Sequence, residues 1–389
     1  MRFPNFCTPW KIIPISNLLQ FQNGINGSPE QYGKGVKFIS VGDILNNIYI
    51  TYDNIKGLID IDEKTLYSYS VTYGDILFQR SSEIIDDIGR TNVYLDKNNI
   101  ATFGGFVIRG KKIGQYNPVF FNYLLKSPSS RKSIIRLGAG AQHYNIGQEN
   151  IKTLNFCFPD EIEQAKIACL FSKIDERIQT QSKIIELKKS IIKKIEETIF
   201  WCSSINNLVP VSLFLDEINE KSQIQNLYPI LSSTKKGLFL QSEYFNKEAA
   251  SSNNIGYKIV HKENVIISPQ NLWMGNITYN NKFENGLVSP SYRVFKIKGQ
   301  YNPIYVSHLL MTYRAVSMYK TISEQGASIV RRNLNIDAFN ELLFPLPNRK
   351  KQDEVSCLIG KLHQDLVNEQ QILNLLNKQK KFLLANMFI

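Results

Sequence analysis

The sequence lacks most of what catalysis, metal binding or membrane insertion needs. Its five cysteines, Cys7, Cys157, Cys169, Cys202 and Cys357, are odd in number, far apart and contain no C-x-x-C pair, which argues against a disulfide framework or a thiolate zinc site. They are expected to be reduced packing residues. Only four histidines occur, His143, His261, His308 and His363. None pairs with another at ligand spacing along the chain, so no metal site is expected. There is no apolar run of about 18 residues and no charged-then-apolar leader at MRFPNFCTPW, so neither a membrane span nor a secretion signal is expected and a cytoplasmic location is. No P-loop lysine motif is present, GAG at 138–140 is a lone G-x-G without a clear strand before it, and PDEIEQAK at 159–166 has the wrong spacing for a nuclease PD…E-x-K site. With no plausible catalytic set, a recognition module is expected rather than an enzyme.

What is present is length, charge and repetition. The 389 residues suffice for two or three domains, and 43% hydrophobic residues with 11% aromatics are ordinary for a globular protein. The charge is not neutral: 46 basic against 34 acidic residues leave +12. Such a balance favours a polyanion, nucleic acid above all, although an anionic membrane or an acidic protein would also be attracted.

An internal duplication organises the chain. Residues 138–200 align on residues 326–388 without a gap, matching Gly138 to Gly326, Asn145 to Asn333, Phe156 to Phe344, Gln164 to Gln352, Leu170 to Leu358, Ile184 to Ile372 and Leu187 to Leu375, among others. The phrase GQYNP occurs at 114–118 and again at 299–303. Asn-Pro followed by an aromatic also opens the catalytic loop of adenine methyltransferases, but Val119 and Ile304 stand where that loop needs a second proline. The phrase reads instead as a helix start, with Asn117 or Asn302 as cap and Pro118 or Pro303 in the first turn.

Four parts follow: a globular half at 1–157, a helix at 158–206, a second globular half at 207–345 and a second helix at 346–389. In the helices, Ile167, Phe171, Ile174, Ile178, Ile185, Ile192, Ile195 and Ile199 keep a 4,3,4,3 spacing once Gln181 and Lys188 fill two places. Val355, Ile359, Leu362, Leu366, Leu373, Leu376, Leu383 and Met387 repeat it, interrupted by Glu369 and Lys380. This is the seam of a coiled coil. At 1.5 Å per residue each helix is roughly 60 Å long, more than one small domain covers, so the two tails are expected to pair antiparallel in a pseudo-two-fold arrangement.

In the halves, KFISVGDI (37–44), GDILFQRS (74–81), GFVIRGK (105–111), VIISPQ (265–270) and SYRVFKIKG (291–299) read as strands. The fold class is therefore α+β: two similar globular domains, each a mixed, curved β-sheet with one or two helices, separated by long helices. Polar and basic residues gather in loops: Arg80, Ser81, Ser82, Arg90, Lys111, Lys112, Arg131, Lys132, Gln142, His143, Tyr144 and Asn145 in the first half. The second offers Lys235, Lys236, Gln270, Asn271, Trp273, Arg293, Arg331, Arg332 and Asn333. Such side chains read base edges and hold phosphates, so these are the candidate DNA contacts.

Taken together, GDILFQRSS, GAGAQHYNI and PDEIEQAKIACLFSKIDERI, each half followed by a lysine-rich helix, resemble the specificity subunit of type I restriction-modification systems over the whole chain. In the second half Lys351 stands where the Glu of Glu-Gln is expected, and His363 replaces the aspartate matched by Asp175. The resemblance implies that each globular half is a target recognition domain for one half of a bipartite site in double-stranded DNA. It implies that the helices set the spacing and dock two modification subunits. S-adenosylmethionine would then belong to those subunits, which flip and methylate an adenine, and ATP with Mg to restriction subunits. No cofactor is expected in this chain. A stand-alone methyltransferase or nuclease with an unrecognised site, and a coiled-coil scaffold that binds only protein, are the alternatives.

Overall fold

The structure, a computed structural model, describes all residues except 1, 5, 141–142, 203–206, 236, 245–252, 326–331 and 389. It divides into two compact units, Met1–Lys183 with Gln371–Ile389, and Ile184–Gln370. Each long helix therefore contributes residues to both units.

The first unit is built on a four-stranded antiparallel sheet in the order Leu19–Asn23, Val107–Lys112, Ile76–Gln79, Thr91–Val93. Side chains alternate faces along a strand, and here both faces are covered. Ile76, Phe78 and Ile108 enter one core, with the helix after Asn117, whereas Leu77 and Val107 enter another with Ile39, Ile50 and Phe103. Double coverage is why ILFQ is buried at all four positions and why its first three residues read as a continuous apolar run.

The second unit repeats the sheet: Leu215–Ile218, Arg293–Ile297, Asn264–Ile267, Ile277–Tyr279, again all antiparallel. Val265 and Ile267 face one core and Ile266 with Val294 the other. In each unit a short outer pair joins the ends of the globular half, Lys11–Pro14 with Asn155–Phe158 and Leu208–Pro210 with Leu343–Pro345. The chain thus returns to its start just before entering a long helix.

The helix count exceeds the sequence reading of one or two per half. Among the described residues the first half holds five α-helices, Val41–Asn46, Glu63–Ser68, Pro118–Lys126, Pro128–Ile135 and Gln148–Lys152. Most are too short to show a helical period. KFISVGDI is likewise not one strand: the strand Tyr32–Ile39 stops, and Ser40 and Asp43 form a capping box that opens the helix Val41–Asn46. The GQYNP reading holds, because Asn117 Oδ1 accepts from the N–H groups of Val119 and Phe120, and Asn302 Oδ1 from that of Tyr305.

The long helices run Glu161–Phe200 and Arg349–Met387. Every expected seam position is buried or half-buried, from Ile167 to Ile199 and from Val355 to Met387. Within the first unit the segments pack antiparallel: Phe171 stacks on Phe388 with centroids 5.6 Å apart, and Lys380 reaches Asp175 at 2.5 Å. Within the second, Lys188 pairs with Glu369 at 2.6 Å and Asp365 at 2.5 Å, and Glu196 meets His363 at 2.9 Å. The polar residues that interrupt the apolar spacing, Lys188, Glu369 and Lys380, thus bind across the helix pair, where they define register.

Candidate functional site

In the first unit the corner beyond Gln79 collects six of the twelve expected contacts: Arg80, Ser81, Ser82, His143, Tyr144 and Asn145. Ser81–Ser82 pairs antiparallel with Tyr144–Asn145, Ile146 N donates to the Arg80 carbonyl at 3.0 Å, and Arg80 Nη1 donates to the Gly105 carbonyl at 3.3 Å. Ser81 Oγ donates to Asn145 Oδ1. A groove of about 480 Å³ runs past Gln79, Ser81, Ser82, Phe106 and His143. Phe106 is 66% exposed there. Sequence reasoning passed over it by placing it inside the strand GFVIRGK, although an aromatic directly after two glycines was a usable signal, since exposed aromatics stack on or wedge between bases.

The second unit builds the same corner beyond Ile267. Arg332 N donates to the Gln270 carbonyl at 3.1 Å, and the Arg332 guanidinium lies 4.6 Å from the Trp273 ring centroid. The buried Trp273 Nε1 and Arg332 Nε have no hydrogen-bond partner among the described residues. Asn271 Nδ2 donates to Ser268 Oγ at 3.3 Å, and Asn333 is exposed on the strand Arg332–Leu334. Arg293, bound to Glu217 at 2.6 Å, opens onto a cleft of about 670 Å³ with Lys258, Pro269 and Leu334. Lys235 is exposed at the turn between Leu231–Thr234 and Gly237–Leu240.

Other expected contacts lie elsewhere. Lys111 and Lys112 sit at the far end of their strand, paired with Gln20 and Leu19, and Lys112 Nζ donates to the Tyr116 carbonyl at 3.2 Å. Arg131 donates to the carbonyls of Asp86, Ile88 and Gly89 at 3.0, 2.7 and 2.8 Å, bracing the loop that carries Arg90, whose Nε meets Asp87 at 2.6 Å. Both arginines line a small cleft of about 220 Å³ with Lys126. Burial, with Lys380 and Arg90 nearby, brings the Lys126 ammonium down to about 7. Lys132 is exposed on the helix Pro128–Ile135. Gln142, Lys236 and Arg331 lie outside the described residues.

Each globular half is clamped to its long helix by one glutamine. Gln164 Oε1 accepts from Asn117 N at 2.9 Å while its Nε2 donates to the Pro159 carbonyl at 2.9 Å. Gln352 does the same with Asn302 N at 2.8 Å and the Pro347 carbonyl at 2.7 Å. This is the reason GQYNP and the glutamine recur together: the amide joins the N-cap of one helix to the start of another.

Two further features escaped the sequence reading. The helices carry a second apolar stripe off the seam, comprising Ile372, Leu375 and Phe382 in the first unit and Leu187, Ile191 and Leu358 in the second, all exposed. The second unit also gathers Glu196, His308 and His363: His308 Nδ1 lies 3.0 Å and His363 Nε2 2.9 Å from Glu196 Oε1. Burial acts to raise the Glu196 carboxyl, but hydrogen bonds from the two histidines outweigh it and hold the group at about 2. The expectation of no metal site rested on spacing along the chain, which is blind to ligands brought together from three helices.

Among the described residues, no helix is long and apolar enough to cross a membrane. No family model matches the chain. A curated type I restriction enzyme MjaX specificity subunit of Methanocaldococcus jannaschii is 26% identical over 196 residues, 48% of this chain and 45% of the relative, so the chain spans about half the length of the curated relative it matches. The crystal structure of a Type-I restriction-modification system S subunit from M. genitalium superposes with a TM-score of 0.53 at 16% identity, covering 100% of this chain and 97% of that one. A chain from a study of complex assembly and conformational transition of the type I R-M system superposes with a TM-score of 0.63 at 9% identity, covering 98% and 97%. The fold of this chain is that of the S subunit of a type I restriction-modification system.

Proposed function

We propose that this chain is the DNA-specificity subunit of a type I restriction-modification complex, in which each globular half reads one half of a bipartite site. The observation that carries the reading is that one fold occurs twice, each time with a basic and amide-rich loop corner at the same end of the same four-stranded sheet. Two readers on helices of fixed register recognise two short sequences at a fixed gap, as paired readers do in dimeric repressors. Arg80, Asn145, Gln270 and Asn333 are suited to base edges, and exposed lysines such as Lys132 and Lys235 to phosphates.

The chemistry then belongs to partners. Modification subunits bring S-adenosylmethionine, and restriction subunits bring ATP and Mg. The exposed stripe suits the modification subunits: Leu187 and its match Leu375 are exposed in both copies, whereas Ile372 and Leu358 are exposed and their matches Ile184 and Leu170 are half-buried. A leucine kept exposed at the matched position in both copies, beside exposed Ile191 in one and Ile372 in the other, favours the same kind of partner bound twice.

The test is an exchange of residues 207–345 for those of a relative, followed by mapping of methylated adenines in cells. One half of the recognised sequence is expected to change while the other half stays. A change in both halves, or in neither, would sink the two-reader scheme. Affinity of the assembled complex for DNA is expected to fall steeply with salt, by roughly 10³-fold or more between 50 and 200 mM if about six phosphates are contacted.

A further inference from the structure

We propose that Glu196, His308 and His363 form a binding site for one divalent transition-metal ion, zinc being the best match, in the second unit. Their ligand atoms all lie within 4.8 Å of one another. The two histidine nitrogens are 3.0 and 2.9 Å from the same carboxylate oxygen, and bond lengths of about 2 Å to zinc place tetrahedral ligand atoms roughly 3.3 Å apart. Binding therefore requires the two imidazoles to close slightly and the Glu196 oxygen to retreat by a few tenths of an ångström. Two histidines and one glutamate form a ligand set that zinc uses where a fourth position stays open.

The surroundings support an open fourth position. His308 and His363 line a cleft of about 440 Å³ together with Tyr279, Asn281, Ser307 and Gly360. Water or an exchangeable anion can reach the ion from that side. Two of the three ligands sit on long-helix segments and the third on the helix Pro303–Leu310, so each is held by a regular element.

The first unit shows what the corresponding position does when the chain supplies the cation. Tyr123 occupies the place of His308 after Asn-Pro, and Asp175 the place of His363 on the long helix. There Tyr123 Oη donates to Asp175 Oδ2, and the Lys380 ammonium binds Asp175 Oδ1 while lying 5.7 Å from the Tyr123 ring centroid. An acid and an internal ammonium fill that node. In the second unit the same node presents two imidazoles and a carboxylate, which are metal ligands, and the ion would come from solution.

The experiment titrates Zn²⁺ into the purified full chain, its thiols kept reduced, by calorimetry, beside His308→Gln/His363→Gln and Glu196→Gln. Because every variant retains the same five cysteines, the difference between curves isolates this site. The expected result is one extra Zn²⁺ equivalent in the wild type, with affinity weakened by roughly 100-fold or more in the variants, since ligand loss costs at least as much as loss of a supporting partner. Imidazole proton resonances of the wild type give a readout independent of any variant: of the four histidines, His308 and His363 are expected to shift with the first equivalent. Equal zinc binding by wild type and double variant, or resonances of these two histidines that do not respond, would overturn the proposal. DNA binding is not used as a readout, so failure of the specificity-subunit reading leaves the outcome unaffected.

Discussion

The two units share a sheet topology and a glutamine clamp but differ in where they bury charge. In the first, Asp75 and Arg109 form an ion pair at 3.1 Å in the middle of the sheet, both almost fully buried. Burial pushes the Asp75 carboxyl up, against the backbone N–H groups of Lys112 and Thr72, and pushes the Arg109 guanidinium down, against Asp75. At the same sheet positions the second unit has Asn264, next to the strand residue Val265, and Val294, which faces Ile266 across the ladder as Arg109 faces Leu77. One sheet thus folds around a buried pair and the other around a neutral substitute, so the pair is not a requirement of the topology.

That difference sets the largest expected effect. Asp75→Asn alone leaves Arg109 buried without its counter-charge and is expected to cost about 3–5 kcal/mol. Asp75→Asn with Arg109→Val, which copies the second unit, is expected to recover most of that loss, because removing both partners of a buried pair is often neutral. Urea unfolding of the three proteins measures it. A double variant no better than the single one would mean that the pair also orders its surroundings, for instance through Gln22, which accepts from Arg109 Nη1 at 3.3 Å.

The same comparison shows what the sequence could reveal. The helices were legible because a covered seam of ten positions imposes a period that survives individual substitutions, and Asn-Pro was legible because capping is local chemistry. The long helices also hold Gln164 and Gln352 at matched positions, so the duplication marks both glutamines, but not their role as a clamp, because the N–H groups they accept from lie 47 and 50 residues away along the chain. The loop corners were partly legible: Arg80, Ser81, His143 and Asn145 come together, whereas Lys111 and Lys112, adjacent in composition, fall at the opposite end of the strand. Glu196, His308 and His363 left no trace, because residues far apart along the chain share no pattern until three helices meet.

Lys126 gives an intermediate effect. Its counterpart after the second Asn-Pro is the exposed Met311, so only the first unit half-buries an ammonium here, with Nζ 3.4 Å from the Ile48 carbonyl. The folded value, about 7, lies below the ordinary value of 10.5. Between these the unfolded chain binds a proton that the folded chain does not, so the penalty is fully present below pH 7 and is relieved as pH rises toward 10.5. Lys126→Met is therefore expected to stabilise the protein by about 2 kcal/mol near pH 6, after discounting for partial exposure, with the gain fading at alkaline pH. A gain that does not change with pH would assign the effect to packing instead.

The smallest effect concerns one backbone position. Gly74 enters its strand at φ 91° with its N–H bonded to the Tyr94 carbonyl, and Glu263 enters the equivalent strand at φ 66° with its N–H bonded to the Asn280 carbonyl. The turn requires a left-handed residue in both units, but only the first supplies the residue suited to it. At Gly74 an added Cβ would lie 2.9 Å from Lys112 Cδ as well as meeting that strain, so Gly74→Ala is expected to cost about 1 kcal/mol. Glu263 is exposed, and its replacement removes strain without removing packing, while glycine adds freedom to the unfolded chain. Those two effects oppose each other, and the strain of a non-glycine residue in this region, about 1 kcal/mol or more, is the larger. Glu263→Gly is accordingly expected to stabilise the second unit by about 0.5 kcal/mol in metal-free buffer, read as a higher urea midpoint with unchanged slope; a lower midpoint would mean that the glutamate side chain holds the turn.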